Sequence, residues 1–197
     1  MAKFKLEGTL DLPSLCGPSH LLRLRPLVQI YRAISLCKPS TEVLDLLHAE
    51  ADPSPFGHNK ELVHDESYRL ARELGSDRFS LNFDPTAVNS GVLAAVEPEL
   101  VYKKTGVQAK LYKLNSYTTG GHFKKHQDTP KAENHIGTLL FGLPTSFSGG
   151  ELILSDIAST FNLPWVFFYS DVEHEILPVA SGHRLTLAYD IFTTDTV

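Results

Sequence analysis

His126-Gln127-Asp128, followed by His174 a further 48 residues after the first histidine, constrains the fold of this chain more than any other feature. If the three side chains serve one centre, His126 and Asp128 must sit on extended backbone, where residues two apart point to the same side. His174 must then return to them from a distant strand, and 48 residues is enough chain to pass around a small antiparallel barrel and come back. Two imidazoles and a carboxylate on one face of a metal leave the opposite face open, which suits non-heme Fe(II) and oxygen chemistry. Ten residues beyond His174 comes Arg184-Leu185-Thr186, which sets a guanidinium and a hydroxyl on one strand face. A guanidinium grips a carboxylate through two parallel hydrogen bonds, so this strand reads as a receptor for an organic acid beside the metal.

The pattern around these residues is that of strands. From Ala109 the period is two: Lys113, Asn115 and Tyr117 share one face, and Tyr112, Leu114 and Ser116 the other. With Tyr112 and Leu114 packed on helices, the polar face looks into the barrel. Further strands are expected at 136–143, 151–154, 165–170, 173–177 and 183–192, parted by Pro and Gly turns. Trp165, Phe167 and Tyr169 alternate on one face and read as packing. Upstream, 3–10 and 21–30 read as strands. Ser40 opens a helix that Asp52-Pro53-Ser54-Pro55 stops, and 59–74 carries Leu62, Val63, Leu70, Ala71 and Leu74 at helical spacing before Gly75. A third helix is expected over 90–101, bent at Pro98. Helices first and strands afterwards predict an α+β fold with helices backing one sheet. The expectation is one domain over 1–197, with 1–108 as supporting strands and helices and 109–192 as the barrel core.

Three ordered blocks add a resemblance. They are residues 117–128 (YTTGGHFKKHQD), Thr138 with Gly149-Gly150-Glu151-Leu152, and the segment FYSDVEHEILPVASGHRLTLAYDIF. Together they resemble the Fe(II)/2-oxoglutarate-dependent dioxygenases of the prolyl-4-hydroxylase-like superfamily, and within it a group of Fe2OG-domain proteins common in fungi. The similarity covers most of residues 40–192. It implies a double-stranded β-helix, or jelly roll, with Fe(II) held by the catalytic residues His126, Asp128 and His174. It also implies 2-oxoglutarate as cosubstrate on Arg184, Thr186 and Tyr117, with Leu152 lining the pocket. Lys113 and Asn115, on the pleat face of Tyr117, are weaker candidates for contact with substrate or for a supporting role. The implied reaction is hydroxylation of a protein side chain, prolyl among them, or of a small molecule, while 2-oxoglutarate is decarboxylated to succinate; ascorbate is a further expected reductant. Related halogenases give up the carboxylate that Asp128 supplies here, so hydroxylation is favoured.

Composition bounds the rest. At 42% apolar and 21% charged residues the chain is globular, and no run approaches the roughly 18 apolar residues of a membrane helix. The first residues show no long apolar core of a signal peptide, and Cys16 and Cys37 form no CxxC pair, so an intracellular, cytoplasmic protein is expected. A net charge of −5 argues against general nucleic-acid binding. Seven of eleven lysines (Lys103, Lys104, Lys110, Lys113, Lys124, Lys125, Lys131) cluster around the HxD motif, either as a solvated surface or as a basic mouth for an anion. His122 lies four residues before His126, as in helical zinc pairs, but follows Gly120-Gly121 and has no accompanying catalytic Glu. Two competing functions stay open: a barrel that binds metal or acid without turnover, as sensor or scaffold, and a zinc hydrolase on the same ligands.

Overall fold

Along the last strand of the chain the side chains sort into two sets, and that sorting organises the molecule. Leu185, Leu187, Tyr189 and Ile191 enter one apolar cluster, whereas Arg184, Thr186, Ala188 and Asp190 line a cleft on the other face. The computed structural model describes residues 5–8, 21–24, 32–35, 39–58, 61–84, 86, 91–97, 106–154 and 165–194. Cys16, Cys37, Lys103, Lys104 and parts of the expected 3–10, 21–30 and 90–101 elements lie outside them.

In chain order the elements are β1 (Lys5–Gly8), β2 (Leu21–Leu24), β3 (Arg32–Ser35), α1 (Thr41–Glu50), β4 (Asp52–Pro53), β5 (Phe56–His58), β6 (Glu61–Val63), β7 (Arg69–Leu70), β8 (Arg72–Gly75), β9 (Phe79–Leu81), α2 (Val92–Val96), β10 (Gly106–Tyr117), β11 (His122–His126), β12 (His135–Gly142), β13 (Phe147–Gly149), β14 (Leu152–Leu154), β15 (Trp165–Tyr169), β16 (His174–Ile176), β17 (Val179–Gly182) and β18 (Arg184–Thr194). A seven-stranded sheet runs β1-β15-β12-β18-β10-β8-β4, and a four-stranded sheet runs β14-β16-β11-β7. All their pairings are antiparallel.

Two cores follow from the alternation. One joins Leu114, Leu139, Phe141, Trp165, Phe167 and the apolar face of β18 to Leu44 and Leu47 of α1 and Val92 and Val96 of α2. The other joins Tyr117, Val166 and Phe168 of the large sheet to Leu152, Leu154 and Ile176 of the small one. The result is a jelly-roll core with helices on the outer face of the larger sheet, the expected α+β class. The outer face also carries polar ties to α1: Ser116 Oγ lies 2.8 Å from His48 Nδ1, and His183 Nε2 lies 3.0 Å from Asp45. No helix among the described residues is long and apolar enough to cross a membrane.

The expected strands at 110–117, 136–143, 151–154, 165–170, 173–177 and 183–192 all form within a few residues of those bounds. The helix expected over 59–74 does not. Its described residues form β6, β7 and the start of β8, interrupted by a turn in which Asp65 accepts hydrogen bonds from the backbone of Ser67, Tyr68 and Arg69. Pairing of β7 with β11 and of β8 with β10 satisfies the backbone instead, so tertiary context overrides a marginal helical pattern. Of the helix expected over 90–101, Val92–Val96 forms, started by Gly91 at φ +70°.

Candidate active site in the barrel cleft

Strand pairing brings the three predicted metal ligands together. His126 and His174 are direct cross-strand partners on β11 and β16, with ring centroids 4.1 Å apart. Asp128 lies two residues past the end of β11 rather than within its ladder, and its Oδ1 is 3.8 Å from His174 Nε2. One donor atom from each residue falls within 4.8 Å of the others.

Each ligand is also oriented by a partner behind it. His126 Nδ1 lies 2.7 Å from the Lys124 carbonyl and His174 Nδ1 lies 3.0 Å from that of Val172. A carbonyl can only accept, so both rings carry a proton on Nδ1 and turn Nε2 toward the cleft, the atom a metal would take. Thr138 donates its hydroxyl to Asp128 Oδ2. Burial, reinforced by the neighbouring His174, pushes the His126 pKa down to about 3, so that ring is neutral and ready to ligate at physiological pH. Burial alone would raise the Asp128 pKa. His174, the Thr138 hydrogen bond, His126 and Lys113 outweigh it and hold the carboxyl below its usual range. Two imidazoles and an ionised carboxylate converging on one point fit a divalent transition metal.

A fold irregularity completes this wall. Residues three apart on a regular strand face opposite ways, but the β11–β16 register shifts between Phe123 and His126. The extra residue turns both to the cleft, and the Phe123 ring stacks on His126 at 3.5 Å. Phe56 and Tyr68 extend this into an aromatic wall, their rings 4.5 Å apart.

The predicted acid receptor faces the same cleft, of about 630 Å³. In the β10–β18 register Tyr117 pairs with Arg184 and Asn115 with Thr186. All four are buried, and the Arg184 guanidinium carbon lies 5.6 Å from the Tyr117 ring centre. Arg184 has no carboxylate within ion-pairing distance among the described residues. Asp190, the carboxylate on the same face of β18, is committed to Lys131 at 2.6 Å. Burial pushes the Arg184 pKa below its ordinary value, against the favourable influence of Tyr117 and Glu151. Gly150 sits over this side chain at φ +69°, where a Cβ would come within 3.0 Å of Arg184 Cδ.

Other candidates sort by their contacts. Leu152 lines the cleft from the apolar core. Lys113 faces the cleft as its pleat position predicts but is held by Glu73 at 2.7 Å, and burial lowers its pKa. Tyr112 departs from expectation: a register shift between Leu111 and Lys113 leaves it as the extra residue of a bulge, 39% exposed at the cleft rather than packed on helices. His135 is buried, with Nδ1 accepting from the Lys131 backbone and Nε2 directed to the Gly137 carbonyl, so it braces the cleft rim. His122 lies by the carbonyls of Gly120 and Ser67 and is not in the metal group. The lysine cluster divides: Lys113 and Lys131 take acidic partners, and Lys124 is exposed. Sequence reasoning missed Arg69, which reaches into the cleft from β7 inside the segment expected to be helical, and Phe123, whose orientation depends on the bulge.

A model of the 2OG-Fe(II) oxygenase superfamily matches residues 112–189. Among solved structures the chain is similar to a prolyl hydroxylase from Trichoplax adhaerens, in complex with a hypoxia inducible factor oxygen degradation domain peptide fragment (14% identity, 93% of this chain and 87% of that chain, TM-score 0.49). It is also similar to a Pseudomonas putida prolyl-4-hydroxylase (17% identity, 92% and 96%, TM-score 0.45). A third is an oxidoreductase of the 2OG-Fe(II) oxygenase family from Burkholderia pseudomallei (16% identity, 77% and 78%, TM-score 0.47). Comparison with curated proteins gave no match. Residues 112–189, the stretch that matches the 2OG-Fe(II) oxygenase superfamily model, carry His126, Asp128, His174, Tyr117 and Arg184 together.

Proposed function

We propose that the protein is an Fe(II)- and 2-oxoglutarate-dependent dioxygenase that hydroxylates a protein side chain, prolyl among the candidates, or a small molecule. The observation that carries this reading is Arg184, a buried guanidinium without an ion-pair partner among the described residues, on the same cleft as the His126, Asp128 and His174 group. An unpaired buried charge is costly, and a dicarboxylate lying along β18 toward the metal group supplies the missing partner. Bound Fe(II) would supply oxygen activation coupled to decarboxylation of 2-oxoglutarate to succinate and carbon dioxide.

The chain's own residues set up the rest. His126 and His174 present Nε2, and Asp128 offers a carboxylate fixed by Thr138. Arg184 takes the distal carboxylate, with the Tyr117 and Thr186 hydroxyls beside it. Ala188, facing the cleft between Thr186 and Asp190, leaves room for the body of the acid. The aromatic wall of Phe56, Tyr68 and Phe123 excludes water on one side. On this reading residues 1–108 support a barrel of 109–192 in one working unit, in a reducing, cytoplasmic setting, with ascorbate keeping iron reduced.

The test is succinate formation from 2-oxoglutarate with Fe(II) and ascorbate under air, without added substrate. Slow uncoupled turnover is expected. Equal activity under argon would exclude an oxygenase and favour metal-assisted hydrolysis, and metal and acid binding without succinate would favour a sensor.

A further inference from the structure

Arg69 bonds across the cleft to Asn115 on the acid-receptor face, and its contacts have a direction. It is buried, with Nη1 on the Pro55 carbonyl at 2.5 Å, Nη2 on Asn115 Oδ1 at 3.1 Å, and its guanidinium 4.4 Å over the Phe123 ring. A guanidinium can only donate, so the atom of Asn115 that faces it must be the carbonyl oxygen. The Asn115 amide group is thereby turned to Thr186, with Nδ2 3.4 Å from Oγ1. An amide NH2 can only donate, so Thr186 Oγ1 accepts, and its own hydrogen must point elsewhere. That hydrogen has no acceptor among the described residues, and Asn115 and Thr186 are 6% and 5% exposed, which leaves little access for water.

We infer that Arg69 and Asn115 are positioning residues that fix Thr186 as a hydrogen-bond donor toward the distal carboxylate of the cosubstrate. The inference rests on the reading of Arg184 and Thr186 as the acid site. Without the relay, the Asn115 amide is free to present its oxygen to Thr186, which would draw the Thr186 hydroxyl away from the acid. Arg69 also touches Phe123, which stacks on His126, so the residue that orients the acid site braces a metal ligand as well.

The test uses protein loaded with redox-inert Mn(II) and calorimetric titration of two probes: 2-oxoglutarate, and oxalate, which chelates a metal but has no distal carboxylate. The variants are Asn115→Leu, Thr186→Val, the double variant and Arg184→Ala, each checked for parental melting temperature. Asn115→Leu removes the donor that holds Thr186 Oγ1 as an acceptor and so leaves the hydroxyl unoriented; it should weaken 2-oxoglutarate binding about three- to tenfold, the range of one hydrogen bond, and leave oxalate within about twofold. In the Thr186→Val background, Asn115→Leu should have no further effect, because its influence passes through that hydroxyl. Parental 2-oxoglutarate affinity in Asn115→Leu, an equal loss of oxalate, or an undiminished effect in the Thr186→Val background would each overturn the relay. If Arg184→Ala loses 2-oxoglutarate and Asn115→Leu does not, only the relay falls. If Arg184→Ala also binds like the parent, the acid-site reading falls and the relay with it.

Discussion

At the scale of single residues, the metal group is set by what stands behind each ligand. Removing any one of His126, Asp128 or His174 leaves a donor set too small for a tight site. Each Ala variant should therefore lose iron, as measured by metal content after desalting, while circular dichroism stays near parental, because the barrel does not depend on metal as a zinc finger does. Two variants retaining iron as tightly as the parent would refute the assignment. The His126 pKa, lowered from 6.5 to about 3, also has a consequence for metal-free protein. The unfolded chain takes up a proton near pH 6.5 that the folded ring refuses until about pH 3, so this group's contribution is intact above pH 6.5 and lost as pH falls through that window. Melting temperature against pH should fall more gently in His126→Gln than in the parent; identical slopes would show that His126 does not carry the effect. The convergence of His126, Asp128, His174 and Arg184 on one cleft was legible in the sequence because ligand chemistry restricts both residue type and spacing. Arg69 was not, since nothing in SYRLARELG separates an arginine facing a cleft from one facing solvent until the strand is known.

At the scale of elements, the strands announced themselves through period two, and the departures come where that period breaks. The bulge at Tyr112 and the shift between Phe123 and His126 each change the facing of one aromatic residue, and neither leaves a local signature in composition. The 59–74 segment carried apolar spacing compatible with a helix, but its backbone is claimed by β10 and β11. Gly150 offers a prediction at this scale. At φ +69° an L side chain is strained by roughly 1–2 kcal/mol, and a Cβ there would also press on Val179 Cγ2 at 2.8 Å and on Arg184. Gly150→Ala should lower stability by about that amount in urea titration and weaken 2-oxoglutarate binding through Arg184. Unchanged acid affinity would mean that the turn does not hold the guanidinium in place.

At the scale of the whole molecule, one sheet serves two purposes because its strands bury both faces: one packs on α1 and α2, and the other forms the cleft. Damage to the helix side should therefore be separable from damage to the site. Leu187 is fully buried between β18 and the helices, and Leu187→Ala should destabilise the protein by about 2–5 kcal/mol while the folded fraction binds iron at near-parental affinity. Loss of iron affinity at temperatures where the variant is folded would show that the two faces are coupled.

If this cleft joins a metal group to a receptor for a dicarboxylate, Arg184 is the residue the receptor cannot lose. A buried bidentate partner removed from a carboxylate forfeits roughly 2–5 kcal/mol, and each 1.4 kcal/mol is about tenfold in affinity. 2-Oxoglutarate should be titrated anaerobically into iron-loaded parent, Arg184→Ala and Arg184→Lys, following the metal-to-ligand absorption band. Binding should weaken about 30-fold or more in Arg184→Ala and by an intermediate amount in Arg184→Lys, which keeps the charge but not the planar fork, with iron affinity unchanged in both. Binding in Arg184→Ala within about twofold of the parent would contradict this and place the acid elsewhere in the cleft, with Lys113 the next residue to replace.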